Sequence, residues 1–282
     1  MKLTLAEPRG FCSGVNRAIN ILDEVVKEGH GPVYVYHEIV HNSWVVRDFN
    51  RRGVVFVDSL DDVPDNAILL FSAHGVSPEI RKLAAERKLK TIDATCPRVH
   101  YVHRQMKELA DSGYHIIFIG KVGHDEVVGT LGEAPDASTL ISKLEDVETL
   151  SFPPTQKLAY LMQTTLSAAE AAKIVDALKL RFPQLKEPGR EGVCDATQLR
   201  QDAVRRLAPG HDLVLVVGSP NSSNSQRLAE VARSVGVPAV LIDGVEDVPW
   251  GQLTPDSAVL LTSGASAPDI IVKTCAQFLS DI

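Results

Sequence analysis

The stretch LVLVVGSPNSSNSQRLAEVA, residues 213–232, contains a complete strand–loop–helix unit. Its first five residues are all Val or Leu, as expected for a strand that is buried on both faces of a parallel sheet. Polar Ser and Asn residues follow, and apolar residues then return at helical spacing. The same order recurs along the chain, so the sequence predicts an α/β protein with small, mainly parallel sheets flanked by helices.

The other elements follow from the same two patterns. Strands are predicted at Gly31–Tyr36, Val54–Val57, Ala67–Phe71, His115–Ile119, Leu158–Met162, Ala239–Ile242 and Ala258–Leu261. Helices are predicted at Val15–Lys27, Ser77–Arg87, Arg98–Asp111, Ala168–Arg181, Leu199–Ala208, Ser225–Val235 and Pro268–Leu279.

The bulk composition excludes several classes of protein. A chain of 282 residues with 44% hydrophobic residues can bury a large core. Its net charge of −7 argues against nucleic acid or an anionic membrane as the main partner. No apolar run is long enough to cross a bilayer, and the N-terminus does not read as a signal peptide. Four cysteines are too few for a disulfide scaffold, so we expect a cytoplasmic protein.

Three of the four cysteines occupy similar positions. Cys12, Cys96 and Cys194 each directly precede a stretch with helical spacing, and they divide the chain into roughly equal thirds. This spacing predicts three lobes, residues 1–95, 96–193 and 194–282, each with one thiol at the start of a helix. Three thiols from three lobes can meet only at a common centre. Cys275 has apolar neighbours in the last predicted helix, and we expect it to be a small buried side chain.

The pattern around the three thiols leaves several kinds of site open. Structural zinc is disfavoured because no CxxC pair and no nearby fourth ligand is visible. A thiol–disulfide centre would need a CxxC motif or a local resolving cysteine, which is also absent. An iron–sulfur cluster with one iron free of protein ligands remains as one possibility beside buried bystander thiols. Widely spaced cysteines do not decide between them.

Polar segments follow the predicted strands, where open α/β sheets bind their ligands. HEIVHN, SAHGVS, KVGHDEVVGT, QTTLS, SPNSSNSQRL and SGASAPD all have this position, and they would converge on one cleft if the lobes face inward. A single histidine there is as well explained by a surface or capping role, and the Ser/Asn segment also fits a helix N-cap. The same amides and hydroxyls can hold a phosphate. Without a GxxxxGK[ST] loop or a GxGxxG after a strand, the set indicates a diphosphate bound without a P-loop.

Collinear motifs connect these features. PRGFCSGVNRAI, HEIVHN, SAHGVS, DATCP, GHDEVVGT, QTTLS, VCDATQLRQ, GSPNSSNSQRL and SGASAPD together resemble the LytB family, the 4-hydroxy-3-methylbut-2-enyl diphosphate reductases. The resemblance runs from about Pro8 to Asp269, with the motifs in family order. It implies a three-lobed protein around a central [4Fe–4S] cluster, in the last step of the non-mevalonate (MEP) isoprenoid pathway. It also implies a small allylic diphosphate substrate and a ferredoxin- or flavodoxin-type electron donor.

The resemblance assigns roles residue by residue. The cluster ligands would be Cys12, Cys96 and Cys194, with the fourth iron open to the substrate hydroxyl. Glu126 would be the proton source, Thr164 would orient the hydroxyl and relay protons, and His124 would lie at the pocket wall. The residues expected to contact the substrate are His41, His74, His124, Thr164, Ser222, Ser223, Asn224 and Ser266.

The chain departs from the family pattern in two places. Asp125 and Val128 replace the Pro and Glu of GHPEVEGT, and Asp195 replaces an aromatic residue after the third cysteine. These changes leave open a paralogue with lower activity or a shifted substrate preference. Two other functions also stay open. One is a hydro-lyase that uses an open-iron cluster without reduction; the other is a non-catalytic protein that binds diphosphate or senses iron. A reductase depends on a reductant and a hydro-lyase does not, so this dependence distinguishes the two. A non-catalytic protein would have no use for a carboxylic acid such as Glu126 facing the pocket.

Overall fold

A computed structural model describes residues 1–29, 31–188 and 194–281. The chain forms two compact units. The first comprises Met1–Asn16, Val40–Arg52 and Asp195–Ile282, and the second comprises Arg17–Ile39 and Gly53–Cys194.

Strands and helices alternate along most of the chain. The strands are β1 (Lys2–Leu5), β2 (Val33–Tyr36), β3 (Val54–Val57), β4 (Ile68–Phe71), β5 (Lys90–Asp93), β6 (Tyr114–Ile119), β7 (Ser138–Ile141), β8 (Lys157–Met162), β9 (Leu213–Val217), β10 (Ala239–Ile242) and β11 (Ala258–Ser263). The α-helices are α1 (Ser13–Glu28), α2 (Ser43–Arg51), α3 (Pro78–Glu86), α4 (Pro97–Asp111), α5 (Asp125–Leu131), α6 (Asp146–Thr149), α7 (Ala168–Arg181), α8 (Asp195–Leu207), α9 (Ser223–Ser234) and α10 (Asp269–Ser280).

The first unit is built on one parallel sheet in the order β1-β11-β9-β10. Successive β9 residues point to opposite faces, as strand geometry requires. Val214 and Val216 pack with Leu228 of α9 and Val204 of α8 on one face. On the other face, the Leu residues of β9 pack with α10. Both faces are therefore covered by helices, which explains why the strand is apolar throughout.

The second unit contains two parallel sheets, in the orders β3-β2-β4-β5 and β7-β6-β8. The β6 sheet is also covered on both faces. Ile117 and Ile119 pack with α7, whereas Ile116 and Phe118 pack with Met106 of α4. In the β2 sheet, strand β4 packs against α3. Three small parallel sheets flanked by helices confirm the predicted α/β fold class.

The predicted elements agree closely with those observed. All eight predicted strands and all seven predicted helices are present, most of them within two residues of the expected bounds. Helix α8 begins at Asp195 and not at Leu199, so it starts immediately after Cys194. Three strands (β1, β5 and β7) and three helices (α2, α5 and α6) were not predicted.

The three predicted lobes stay a prediction, although the sheets bear on them. β1 lies beside β11, so the N-terminal strand belongs to the same sheet as strands from the last third of the chain. The boundary predicted after residue 193 adjoins residues 189–193, which lie outside the described residues. Within the described ranges, no helix is long and apolar enough to span a membrane.

Candidate active site

All three sheets carry polar segments at the carboxyl ends of two neighbouring strands. Ser222 and Ser266 follow β9 and β11, His37 and His74 follow β2 and β4, and His124 and Thr164 follow β6 and β8. Because each pair of strands is parallel, its two segments lie at the same edge of their sheet. The polar segments predicted to follow the strands are thus observed there, and their contact with a ligand stays a prediction.

Each of the three similar cysteines makes the same kind of backbone hydrogen bond. The amide of Cys12 donates to the Ala265 carbonyl at 3.1 Å, that of Cys96 to Ala73 at 3.0 Å, and that of Cys194 to Thr164 at 3.0 Å. Ala265 adjoins Ser266, and Ala73 adjoins His74. Each cysteine is thus tied to a loop that follows a strand and carries a predicted substrate residue.

The side chains of these cysteines suit a ligand role. Cys12, Cys96 and Cys194 are free thiols, partly exposed, and each lies directly before the first residue of a helix. A helix N-terminus favours an anionic sulfur. The Cys12 sulfur also accepts a hydrogen bond from the Val15 amide at 3.4 Å. In each unit, an arginine also contacts the main chain just before one of these cysteines.

Two arginines supply that positive charge. In the first unit, buried Arg200 donates to the Gly10 carbonyl at 2.7 Å, two residues before Cys12. In the second unit, Arg17 donates to the Thr95 carbonyl at 3.0 Å, one residue before Cys96. A centre ligated by thiolates carries negative charge, so guanidinium groups beside its ligands favour it.

Cys275 differs from these three cysteines in position and burial. It lies within α10, is fully buried, and packs with Ile271, Val272 and Leu279. Burial raises the pKa of its thiol to about 11, helped by the charges of Glu246 and Asp247. The prediction that it is a small core side chain is confirmed.

Thr164 contacts both oxygens of the buried Glu126 carboxylate. Glu126 is only 2% exposed, and its Oε1 accepts from the Thr164 amide at 2.7 Å. Its Oε2 lies 2.8 Å from the Thr164 hydroxyl. His124 caps α5, since its Nδ1 accepts from the Glu126 amide at 3.2 Å. A neutral His124 ring therefore carries its proton on Nε2.

A carboxylate lies between two histidines beside this pair. Asp125 Oδ1 is 3.9 Å from His37 Nε2, and its Oδ2 is 3.8 Å from His74 Nδ1. His74 Nδ1 also lies 3.3 Å from the Ser72 hydroxyl, and its ring meets that of His124 edge-on. His37 has φ 58, which is uncommon for a residue with a side chain. Sequence reasoning singled out Asp125 as a departure but missed its contact with His37.

In the first unit, the polar loop after β9 forms the start of α9. Ser222 is the N-cap, and its hydroxyl accepts from the Ser225 amide at 3.4 Å. It also lies 3.4 Å from the Ser266 hydroxyl. Asn224 Oδ1 accepts from the Ala265 amide at 2.9 Å, which orients this side chain. Gly218 and Gly264 flank Ser225 so closely that a Cβ on either would overlap its hydroxyl.

Ser223 is the clearest candidate for an anion contact here. Its hydroxyl is buried and has no hydrogen-bond partner among the described residues. A buried hydroxyl without a partner is costly, and an anion bound at the N-terminus of α9 would satisfy it. The diphosphate contact of this segment stays a prediction, and the N-cap role of Ser222 is compatible with it.

Hydrogen bonds hold the carbonyl group of His41 and the side chain of the next residue, Asn42. Its carbonyl accepts from the Ser266 hydroxyl at 2.9 Å, and Asn42 behind it caps α2 by accepting from the Val45 amide at 3.0 Å. Ser219 Oγ accepts from the Ser43 amide at 2.8 Å and donates to Asp243 at 2.6 Å. The short helix α2 was not predicted, although Asn42 is the N-cap that could have marked it.

The other two departures lie at helix starts or on the surface. Val128 of α5 is 58% exposed, so a Glu at this position would also be solvated. Asp195 is the first residue of α8, where the helix dipole favours a carboxylate.

Each unit combines a parallel sheet, polar loops at the carboxyl ends of its strands and a free thiol at a helix start. These features are typical of α/β enzymes. The LytB protein family model matches residues 3–280. The chain therefore belongs to the LytB family, as its motifs predicted.

Named relatives agree with this assignment. The 4-hydroxy-3-methylbut-2-enyl diphosphate reductase of Rhodopirellula baltica is 52% identical over 281 residues, covering 100% of this chain and 88% of the relative. The protein of the same name from Pseudomonas putida is 48% identical over 278 residues, covering 97% and 88%.

Two solved structures are also similar. That of the E-1-hydroxy-2-methyl-but-2-enyl-4-diphosphate reductase from Plasmodium falciparum has a TM-score of 0.97 and 42% identity, covering 99% of this chain and 88% of that one. A second, described as (E)-4-hydroxy-3-methyl-but-2-enyl diphosphate reductase, the terminal enzyme of the non-mevalonate pathway, has a TM-score of 0.70 and 30% identity, with both chains fully covered.

Proposed function

We propose that this protein reduces 4-hydroxy-3-methylbut-2-enyl diphosphate to isopentenyl and dimethylallyl diphosphates, using a [4Fe–4S] cluster bound by Cys12, Cys96 and Cys194. The predicted enzyme, the reductase that ends the non-mevalonate pathway, is confirmed by family membership and by relatives that carry this name along nearly the whole chain. The cluster type, its ligands and the role of each residue are our inference.

The ligand set is most directly supported by the equivalent backbone hydrogen bonds of Cys12, Cys96 and Cys194. Each amide donates to the main chain of a loop that carries a candidate substrate residue. A ligand tied to such a loop has its sulfur and the neighbouring polar group held by one rigid element. Cys275 lies inside helix α10, and its buried thiol has a pKa that disfavours the thiolate.

The reaction removes an allylic hydroxyl with two electrons and two protons, and it releases water. When bound, the cluster would supply electrons one at a time and an open iron as a Lewis acid for the hydroxyl oxygen. A reduced ferredoxin- or flavodoxin-type protein is the proposed donor. The remaining requirements are a proton that turns the departing oxygen into water, a second proton that forms the new C–H bond of the product, and a fixed position for the substrate. Side chains would supply the first proton and the position, and solvent would supply the second proton.

Glu126 and Thr164 would supply the first proton. Oε1 of Glu126 accepts from a main-chain amide, so it is not the oxygen that carries a transferable proton. Oε2 faces the Thr164 hydroxyl, which can accept a proton from a carboxylic acid and donate its own onward. We therefore infer that the proton leaves from Oε2 and passes through Thr164 Oγ to the substrate hydroxyl.

Diphosphate recognition would position the alkene. In the first unit, the candidates are His41 and the helix start formed by Ser222, Ser223 and Asn224, with Ser266 beside it. In the second unit, His74 and His124 provide ring N–H donors. Binding the non-reacting diphosphate fixes the reacting carbon and so converts binding energy into proximity.

Anaerobic purification with iron and sulfide quantitation, followed by turnover of the hydroxylated diphosphate with a strong reductant, tests this function. We expect about four irons and four sulfides per chain, and formation of both diphosphate products only with reductant. A protein that stays colourless and iron-free after anaerobic reconstitution would overturn the cluster. Consumption of the substrate without reductant would indicate a hydro-lyase instead.

A further inference from the structure

His103 is a buried imidazole that the proposed mechanism does not use. It lies on α4, seven residues after Cys96, and is only 4% exposed. Seven residues make about two helical turns, so His103 lies on nearly the same side of the helix as its start. Buried histidines are held by defined partners in most cores, and here one partner is a carboxylate.

That partner fixes the ring. Glu133, two residues beyond the end of α5, has its Oε1 2.9 Å from His103 Nδ1. A carboxylate accepts, so Nδ1 donates and the ring orientation is set. The opposite edge carries Nε2, which is buried and has no hydrogen-bond partner among the described residues. Because this edge makes no hydrogen bond to the described residues, its contacts with them are packing contacts.

The free edge lies between two glycines that flank candidate site residues. Gly75 follows His74, and a Cβ on it would lie 3.1 Å from His103 Nε2. Gly129 lies on α5, one turn after Glu126, and a Cβ there would lie 3.3 Å from His103 Cε1 and 3.4 Å from the Gly75 carbonyl carbon. The loop after β4, helix α4 and helix α5 thus meet at the imidazole so closely that an added methyl group would displace its neighbours by a few tenths of an ångström.

We propose that His103 is a positioning residue of the reductase: its imidazole, held by Glu133, sets the separation between the loop of His74 and the helix of Glu126. The inference rests on the proposed function for its catalytic consequence. It assigns no proton transfer to His103. Small displacements of a donor or acid from its productive position lower turnover steeply, which is how a contact of this kind affects the reaction.

Two opposite changes test the spacing. Gly129→Ala adds one methyl group at the contact and pushes the two segments apart, although alanine by itself favours a helix. His103→Asn keeps a donor for Glu133 near the Nδ1 position but removes the edge that touches the glycines. We expect each single variant to lower kcat/KM about 10- to 100-fold at equal iron content and to weaken the binding of inorganic diphosphate. The double variant should recover much of both losses, because the shortened side chain makes room for the methyl group.

The control is His211→Asn in the first unit. His211 also pairs through one ring nitrogen, Nε2 to Thr4 Oγ1 at 2.8 Å, and its buried Nδ1 has no partner among the described residues. We expect this variant to lower Tm without changing kcat/KM per bound cluster. If Gly129→Ala and His103→Asn behave likewise, or if their double variant shows the two losses simply added, His103 is a structural residue and the proposal fails.

Diphosphate affinity separates this outcome from a failure of the proposed function. A wild-type protein that binds inorganic diphosphate but shows no reductant-driven turnover would reject the reductase. The spacing role would then still be decided by the affinities of the three variants. Normal wild-type turnover with unchanged variants would reject only the role of His103.

Discussion

The main-chain amide and the side-chain hydroxyl of Thr164 both reach the Glu126 carboxylate, one on each oxygen, at 2.7 and 2.8 Å. The amide fixes the orientation of the carboxyl group. The hydroxyl contacts the other oxygen and can reverse its hydrogen bond, which the amide cannot do. The two atoms of Thr164 therefore have different roles, and substitution can separate them.

Replacing Glu126 with Gln should lower reductant-driven turnover about 100-fold or more, because an amide cannot release the proton. Iron content and the affinity for inorganic diphosphate should stay near those of the wild type. The measurement is single-turnover product formation beside an iron assay. Glu148→Gln, which removes an exposed carboxylate of α6, is the control and should have no effect. Near-normal turnover of Glu126→Gln would remove Glu126 from the acid role.

Replacing Thr164 with Val should also lower turnover about 100-fold, whereas Thr164→Ser should retain it within about 10-fold. Val keeps the main-chain amide and the shape but removes the hydroxyl that faces Oε2. Ser restores that hydroxyl. The comparison is made on kcat, since the relay acts after the substrate has bound. Near-normal turnover of Thr164→Val would show that the hydroxyl of Thr164 does not relay the proton.

The strands that escaped sequence reasoning share their position in the sheets. The three strands that were not predicted, β1, β5 and β7, are all edge strands. KLTL, KTID and STLI carry polar residues because one side of an edge strand has no neighbour and stays near solvent. The central strands β6 and β9 are buried on both faces, and for these the apolar run was sufficient.

The candidate site was predictable only as far as local pattern reaches. Ser222 and His124 lie at helix starts that follow strands, so the sequence pattern alone indicates them as candidate site residues. The contact of Asp125 with His37 joins residues 88 positions apart, and that of His103 with Gly75 depends on packing. Neither leaves a periodic signal. Such contacts follow from the tertiary structure, and one sequence alone does not specify them.

Replacing Asp125 with Asn should lower the pKa of Tyr36 toward its ordinary value. Burial raises that pKa first, and the charges of Asp125 and Asp58 raise it further, because a second anion nearby disfavours the phenolate. Removing the Asp125 charge should therefore let the phenolate form at lower pH. Ultraviolet difference titration of the variant against the wild type measures this, since the other tyrosines cancel.

Asp58→Asn is the control for that titration. Asp58 has an almost fully exposed side chain and is the weaker of the two charges acting on Tyr36, so it should shift the titration less. An unchanged Tyr36 titration in Asp125→Asn would show that the Asp125 carboxylate does not face this side of the β2 sheet.

Replacing Arg81 with Met should destabilise the protein by about 1 kcal/mol at neutral pH, with the difference vanishing in acid. Burial alone would raise the pKa of Asp93, but hydrogen bonds from Thr95 and Arg81 outweigh it and lower the pKa. A carboxyl group with a lowered native pKa stabilises the fold above its unfolded pKa, and the contribution is lost as pH falls through the native pKa.

Denaturant unfolding across the acid range measures this dependence. Lys82→Met is the matched control on α3, because its ion pair with Glu86 spans 3.8 Å between exposed groups and contributes little. A difference between Arg81→Met and the wild type that persists at acid pH would show that the lost packing of the arginine, and not its charge, causes the destabilisation.

Alkylation should divide the four thiols into two classes. In metal-free native protein at mildly alkaline pH, we expect iodoacetamide to modify Cys12, Cys96 and Cys194, which are partly exposed, and to leave Cys275 intact. Only a thiolate reacts, and a thiol with a pKa of about 11 inside a core is both protonated and inaccessible. Peptide mass spectrometry identifies the modified sites, and a denatured sample should show all four. After anaerobic reconstitution the three reactive cysteines should become protected together, because one cluster uses all of them. Protection of only one or two would contradict a shared centre.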